Sequence, residues 1–155
     1  MSNLSVQSPA PAASADVSPA RRPGLTWWKA LGAGAVGAVV VNLVVFAVAK
    51  LAGASLTVID GGEEHAVTAG GVIGASLVPL LAGAGLALLL ALWKPVFLRI
   101  AQYAGAGLAL LSVAGPVSSD ADGGTVVALS LMHLTLGVAV VVTLELYRRG
   151  KGAAD

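Results

Sequence analysis

The sequence contains no cysteine and little charge. Without cysteine in any of its 155 positions, the chain cannot form a disulfide, a thiolate zinc site or a cysteine-ligated iron–sulfur cluster. Charged residues make up only 11% of the chain and hydrophobic residues 57%, whereas a soluble domain is roughly 25% charged. Eight acidic and nine basic residues are too few to cover a soluble protein of this size. Lipid is therefore the expected solvent for much of the surface.

The sequence also gives little support for an enzyme. It contains no GxSxG, HExxH or P-loop pattern, which are motifs of common catalytic and nucleotide-binding sites. Glu63, Glu64 and His65 are adjacent in one polar segment, and three neighbouring residues in a solvated loop make a poor cation site. Glu145 precedes Arg149 by four residues, a spacing typical of a helical ion pair. We therefore expect no enzymatic activity, no cofactor and no bound metal.

Four long stretches without charge predict four transmembrane helices. The first, Ala30 to Ala49, is about 30 Å long as a helix and matches the thickness of a hydrocarbon core. With their flanking residues, the predicted spans cover residues 28–50, 69–93, 96–117 and 125–147. Trp and Tyr residues stand at several span ends, as in an interfacial aromatic belt. The predicted fold class is all-α: a polytopic, four-transmembrane-helix bundle.

The predicted membrane domain covers residues 25–149. Residues 1–24 are rich in Ala, Ser and Pro, which predicts a disordered tail, and residues 150–155 form a second short tail. A polar loop over residues 53–68 follows the first span, with a short extended piece at Leu56 to Ile59. As an alternative, the triplet Ala47-Val48-Ala49 resembles the cleavage site of a signal peptide. The apolar stretch exceeds the roughly 7–15 residues of a signal core, which favours a retained helix.

Basic residues predict the orientation. Eight of the nine fall on one side of the four spans, and only Lys50 falls on the other. The eight are Arg21, Arg22, Lys29, Lys94, Arg99, Arg148, Arg149 and Lys151. The positive-inside rule places both termini in the cytoplasm, that is N-in and C-in, in the cell membrane. Because these residues flank spans, they give no basis for a nucleic-acid partner.

Small residues recur at four-residue spacing within the spans. Helices in lipid associate through close backbone approach, which favours a tight bundle, a homo-oligomer or a membrane-protein partner. The predicted packing positions are Gly34, Gly70, Gly74, Gly83, Gly105 and Gly137. Pro79 is predicted to kink the second span, because its nitrogen cannot donate to the carbonyl one turn earlier. Gly115 and Pro116 are predicted to end the third span.

Two polar side chains lie inside the spans. His133 follows Thr125 by eight residues, about 12 Å into the fourth span, and ionisable groups within a membrane are frequently functional. A neutral imidazole can relay a proton or bind a polar ligand. A structural hydrogen bond, to Asn42, Ser112 or a carbonyl freed by a proline, is the favoured interpretation. Asn42 equally needs a partner within the hydrocarbon core.

The last two spans resemble a known family. Residues 111–116 read Leu-Ser-Val-Ala-Gly-Pro, and residues 132–134 read Met-His-Leu, followed by Gly137. These pieces resemble a domain-of-unknown-function family of small, four-helix actinobacterial integral membrane proteins, over roughly residues 27–147. Members often continue with a proline after the last glycine, where this chain has Val141-Val142. The family has no assigned activity, so the resemblance implies architecture and compartment, and it marks His133 and the Gly115–Pro116 corner for mutation.

Three functions follow from these features. We favour a non-enzymatic membrane protein that acts through helix–helix or partner contacts, because small residues line the spans and reactive groups are scarce. The alternative is a small oligomeric transporter or proton-coupled permease, with a polar path near His133, Asn42 and Pro79. The third is an enzyme acting on lipid-like substrates, for which the sequence lacks clustered carboxylates or histidines.

Overall fold

Four long helices form the protein in the computed structural model, which describes residues 26–152. They are α1 (Trp27–Leu51), α2 (Ala69–Ala91), α3 (Val96–Ser112), which is followed by the short helix α4 (Ala114–Ser118), and α5 (Gly123–Gly152). With α3 and α4 taken as one unit, four helices are long and apolar enough to cross a membrane. The prediction of four such helices is therefore confirmed, and the predicted tail over residues 1–24 lies outside the described residues.

The third span is interrupted rather than ended at its proline. α3 stops at Ser112, one turn before Pro116, because proline has no N–H for the Ser112 carbonyl. The chain then continues as α4, and the Ser118 hydroxyl donates to the Ala114 carbonyl over 2.7 Å. Gly115 and Pro116, which are predicted to end the third helix, lie just past the end of α3 and inside α4.

The fourth long helix extends beyond its predicted limits at both ends. It begins at Gly123 and continues to Gly152, so the segment predicted as a polar tail from residue 150 begins as helix. Glu145 holds the two arginines that follow it: Arg148 Nη2 lies 2.8 Å and Arg149 Nε 2.6 Å from Glu145 Oε1. Because these pairs join positions three and four residues apart, they favour helical backbone past the predicted end of the span.

A β-hairpin occupies the loop between the first two helices, so the chain is not entirely helical. β1 (Thr57–Asp60) pairs antiparallel with β2 (Glu63–Ala66). The two residues between them, Gly61 and Gly62, have φ values of 61° and 84°, which suits the two-residue turn of a tight hairpin. The Ile59 amide donates to the Asp120 carbonyl over 3.1 Å. The hairpin is thereby tied to the segment before α5.

Going around the bundle, the helices follow the order α1, α2, α3, α5, and each runs antiparallel to its two neighbours. α5 contacts both α1 and α3, and α2 contacts α1, α3 and, across the bundle, α5. Leu88 at the end of α2, Leu98 at the start of α3 and Leu144 near the end of α5 share one core cluster, which Leu31 of α1 joins. These four helix ends therefore lie at the same end of the bundle.

The two ends differ in charge. The end just described carries Lys29, Lys94, Arg99, Arg148 and Arg149, and we call it the basic end. The opposite end, formed by residues 52–68 and 119–122, carries Asp60, Glu63, Glu64, Asp120 and Asp122, and we call it the acidic end. Trp27, Trp28 and Trp93 are exposed at the basic end, where an aromatic belt would meet the lipid interface.

Three of the predicted packing glycines lie where helices touch. A methyl group added to Gly34 would collide with Thr143 Oγ1, and one added to Gly137 would collide with the Ala109 methyl group. One added to Gly105 would come within 2.9 Å of Val140 Cγ1. α1 and α3 therefore approach α5 at distances that only glycine allows.

The other three predicted packing glycines do not serve this role inside the chain. A methyl group added to Gly70, Gly74 or Gly83 would meet no atom within 4 Å. A four-residue pattern such as the one in α2 does not indicate which side of the helix the neighbouring helices occupy. Val72, Ser76 and Leu80 form the buried side of α2, and Gly70 and Gly74 lie off it.

Candidate functional site

Asn42 is a deeply buried polar residue of the bundle interior with an unmet hydrogen bond. Its side chain is 3% exposed, and its Nδ2 donates to Ser76 Oγ over 2.9 Å and to the Met132 carbonyl over 3.5 Å. Ser76 donates its own proton to the Val72 carbonyl over 2.7 Å, so its oxygen accepts from Asn42. Asn42 Oδ1 has no partner among the residues that the structure describes. An unmet buried acceptor costs about 1–3 kcal/mol.

His133 is held by one hydrogen bond that also fixes its tautomer. Its Nδ1 lies 2.8 Å from Ser112 Oγ, and the Ser112 hydroxyl donates to the Ala109 carbonyl over 2.8 Å. A hydroxyl has one proton to give, so Ser112 accepts from His133 and Nδ1 carries the proton. In the neutral imidazole Nε2 is then an acceptor. Ser112 is one of the three partners that the sequence analysis named, and Asn42 is not bonded to His133.

Two cavities meet at His133. The polar cavity has a volume of about 120 Å³, and Asn42, Ser76 and His133 supply its polar lining. The α2–α3 crevice has a volume of about 500 Å³ and runs between α2, α3 and α5, past Pro79 and Ser112. Three residues line both cavities: Ala75, His133 and Leu136. The imidazole therefore stands between a small cavity and a larger one, and both are lined mostly by apolar groups.

Pro79 adds a further acceptor to this region. It lies inside α2, and its nitrogen cannot donate to the carbonyl of Ala75, four residues earlier. Ala75 lines both cavities. Asn42, His133 and the backbone at Ala75 thus place hydrogen-bond acceptors in one part of the bundle, whereas donors there are already used.

A second polar cluster ties the acidic end together, and sequence reasoning missed it. Asp122 Oδ2 accepts from the Ser55 and Thr125 hydroxyls, each over 2.5 Å, and from the Ser55 amide over 3.1 Å. Asp122 Oδ1 accepts from the Thr125 amide over 3.1 Å, the bond of a helix N-cap. These donors, above all Ser55 and Thr125, hold the pKa of the Asp122 carboxyl well below its usual range. The signal was available: an aspartate three residues before a threonine at a helix start.

The same cluster holds a strained residue. Leu56 is 5% exposed and has a φ of 53°, a left-handed conformation that is uncommon for residues other than glycine. Its amide donates to Thr125 Oγ1 over 2.9 Å. The cluster fixes the connection between α1 and the hairpin against the start of α5, which makes it a structural device rather than a reactive site.

A third cluster lies at the basic end. Glu145 accepts two bonds from Arg148, each 2.8 Å long, and one from Arg149 of 2.6 Å. Gln102 of α3 donates to Glu145 Oε2 and to the Val141 carbonyl, both over 3.2 Å. Arg148, Arg149 and Gln102 all pair with Glu145, and Gln102 thereby anchors α3 to α5.

Two further sequence patterns lie outside the three polar clusters. Gly32, Gly34 and Gly37 have the spacing of a dinucleotide-binding loop, but all three lie inside α1, whereas that loop joins a strand to a helix. Within the described part of the chain, no three His, Asp or Glu residues converge as metal ligands. The Glu63–Glu64–His65 run lies exposed on β2.

Comparison with known proteins gives a family and no activity. No curated protein and no solved structure is matched. The model of a family of unknown function, DUF6069, matches residues 22–150. That range includes every helix except the last two residues of α5, and with it both cavities and all three polar clusters. The chain therefore belongs to the family of unknown function DUF6069.

Proposed function

We propose that the protein is a non-enzymatic membrane protein that acts through lateral contact between its helices and those of a second copy. The observation that carries this proposal is the outward-facing row on α2. Gly70 and Gly74 form a GxxxG pair whose added methyl groups would meet nothing, and Val78 continues the row at 68% exposure. We call Gly70, Gly74 and Val78 the open α2 face.

A GxxxG pair lets two membrane helices approach closely, and such pairs favour self-association. The glycines that allow close contacts between helices inside the bundle are Gly34, Gly105 and Gly137. Gly70 and Gly74 are not needed for that purpose. Contact with a second α2 would use them without disturbing the bundle.

Gly74→Leu tests this proposal, with Gly37→Leu as its control. Both positions have open space around an added side chain, so both variants are expected to insert and fold. Energy transfer between labelled copies in lipid vesicles is expected to fall for Gly74→Leu and to persist for Gly37→Leu. Equal association of all three proteins would refute a role for the open α2 face. Gly105 is unsuitable here, because its substitution would disturb the α3–α5 contact.

Transport is the second candidate, and the position of His133 between two cavities favours it. A path would lead from the polar cavity through the imidazole into the α2–α3 crevice. Purified protein in liposomes is expected to show solute or proton flux that changes between about pH 5 and about pH 8, where histidine titrates. Absence of flux across that range, with the protein correctly inserted, would eliminate this candidate.

The compartment and orientation belong to the same proposal. We infer that the basic end faces the cytoplasm and that both termini lie there, in the cell membrane, because eight of nine basic residues fall on that side. An actinobacterial origin rests on the sequence resemblance alone.

A further inference from the structure

The structure assigns the polar cavity as a water-accessible binding site for a small neutral molecule that donates hydrogen bonds. Asn42, Ser76 and His133 form its polar lining, and its volume is about 120 Å³. Since one water molecule needs roughly 10–15 Å³ of such space, the cavity has room for a solute of a few heavy atoms. The lining includes none of the three residues of the open α2 face, and the test below measures access to the cavity rather than self-association.

The hydrogen-bonding groups of the cavity favour a ligand that donates hydrogen bonds. Asn42 is 97% buried, since 3% of it is exposed, and its Oδ1 has no partner in the described residues. The proton of His133 is committed to Ser112 through Nδ1, so Nε2 is left as an acceptor. The Ser76 proton goes to the Val72 carbonyl. The groups left without a partner are therefore acceptors, of which Asn42 Oδ1 is itself buried and is reached only when the side chains around it move aside. A ligand that only accepts would find no donor among them.

The lining contains no charged residue, and this favours neutral ligands. Its ten residues include no Asp, Glu, Lys or Arg, so nothing there offsets a full charge within the hydrocarbon core. Small amides and alcohols satisfy both conditions, because each carries donors and no charge. Water satisfies them as well, and the experiment below separates water from a solute.

The cavity is entered from the acidic end. Val67 and Gly71 line it, and these residues stand at and just before the first turn of α2. Towards the basic end the space between α1, α2 and α5 is filled by the core cluster around Leu88 and Leu144. The cavity therefore reaches the acidic end of the bundle.

Single cysteines test water access, because the chain has none of its own. Leu129→Cys places a thiol in the polar cavity, and Val78→Cys places one on the lipid-facing side of α2, where the native residue is 68% exposed. In lipid nanodiscs, iodoacetamide, which is small and neutral and reacts with the thiolate, is expected to modify Leu129→Cys at least roughly tenfold faster, because a thiolate forms only where water reaches the thiol and lipid-exposed positions meet no water. Adding Ala75→Leu, which fills the cavity from its exposed side, is expected to reduce the rate to that of Val78→Cys.

Acetamide and acetone then test the ligand class, because they have nearly the same shape and only acetamide donates hydrogen bonds. Acetamide is expected to slow modification of Leu129→Cys by about twofold at the concentration that half-fills the site, and acetone to leave it unchanged. Equal rates for Leu129→Cys and Val78→Cys would overturn the claim of water access. Fast modification that neither or both compounds slow would overturn the assignment of a donor ligand.

Discussion

At the scale of single residues, the state of His133 depends on a chain of hydrogen bonds that ends in the backbone. The Ala109 carbonyl takes the Ser112 proton, and Ser112 then takes the proton of His133 Nδ1. This order leaves only one neutral tautomer compatible with both bonds. The bond between His133 and Ser112 does not follow from the sequence, because it depends on which sides of α3 and α5 face each other.

The tautomer can be measured. In ¹⁵N spectra of histidine-labelled protein, His133 is expected to carry its proton on Nδ1 at neutral pH. The chain has two histidines, and the other, His65, is exposed on β2 and provides an internal reference. Ser112→Ala removes the acceptor and is expected to shift the His133 population towards Nε2–H. A native spectrum with the proton on Nε2 would contradict the assigned direction of the Ser112 bond.

Asp122 gives the acidic end a dependence on pH. Its carboxyl pKa is depressed in the folded protein by the Ser55 and Thr125 donors, whereas an aspartate in an unfolded chain titrates near 3.9. A depressed pKa stabilises the folded state above the unfolded value, so the stabilisation is present above about pH 4 and is lost as the pH falls further. Unfolding of the acidic end is therefore expected to become easier in acid.

Asp122→Asn is expected to weaken the same contacts at neutral pH. Hydrogen exchange should become faster at the Ser55 and Thr125 amides, which both donate to this carboxyl. Asp120→Asn removes an equal charge two residues away, where only the backbone carbonyl takes part in the contact with Ile59, and is expected to leave both amides protected. Unchanged exchange in Asp122→Asn would show that the carboxylate does not hold the segment.

At the scale of helices, contact between α1 and α5 depends on the absence of a side chain. An added methyl group at Gly34 would collide with Thr143 Oγ1, and Thr143 is 1% exposed, so it has no space into which to move. Gly34→Ala is expected to lower the free energy of unfolding by about 1–3 kcal/mol, the usual cost of overfilling a packed site.

Gly37→Ala provides the matched control. It lies on the same helix, three residues away, and an added methyl group there would meet nothing within 4 Å. Its effect is expected to be small or slightly stabilising, because alanine favours helix over glycine. Thermal unfolding in detergent measures both variants. Equal stability of the two would place α1 and α5 farther apart than described.

The helices were predictable from the sequence to different degrees for physical reasons. α1 (Trp27–Leu51) lies within one residue of its predicted limits at both ends, because Lys and Trp mark where the hydrocarbon core stops. The third span lies within one residue of its predicted limits, but the break between α3 and α4 was not predicted, because a proline within a helix and one that ends it leave the same sequence signal. Of the hairpin, the extended piece at Leu56 to Ile59 was predicted and overlaps β1, whereas β2 was missed because Glu-Glu-His-Ala shows no alternation of polar and apolar residues.

The candidate site was only partly predictable. Asn42 and His133 stand out because polar groups are rare in an uncharged span. Their partners were not determined by spacing: Ser76 lies 34 residues from Asn42, and Ser112 lies 21 residues from His133. The glycines show the same limit, because a stripe in α2 is equally visible whether it faces the bundle or lipid. The spacing of residues predicts which of them share one side of a helix, but only the packed structure shows what that side contacts.

At the scale of the whole molecule, the bundle separates charge between its two ends. Lys94 and Arg99 lie at the basic end, together with the start of α1 and the end of α5. The hairpin and Asp122 lie at the acidic end. Basic residues near span ends resist transfer across the membrane, whereas acids have little influence. The distribution therefore favours one orientation, with the polar cavity opening away from the cytoplasm.

Cysteine labelling in intact cells measures that orientation directly. Glu64→Cys lies on the exposed β2 strand, and Lys94→Cys lies in the exposed turn between α2 and α3; the chain has no other thiol. An impermeant maleimide added outside is expected to modify Glu64→Cys at once and Lys94→Cys only after the membrane is permeabilised. Modification in the reverse order would invert the bundle, and the polar cavity would then open to the cytoplasm. Modification of both without permeabilisation would mean that the chain inserts in two orientations, which eight basic residues on one side are expected to prevent.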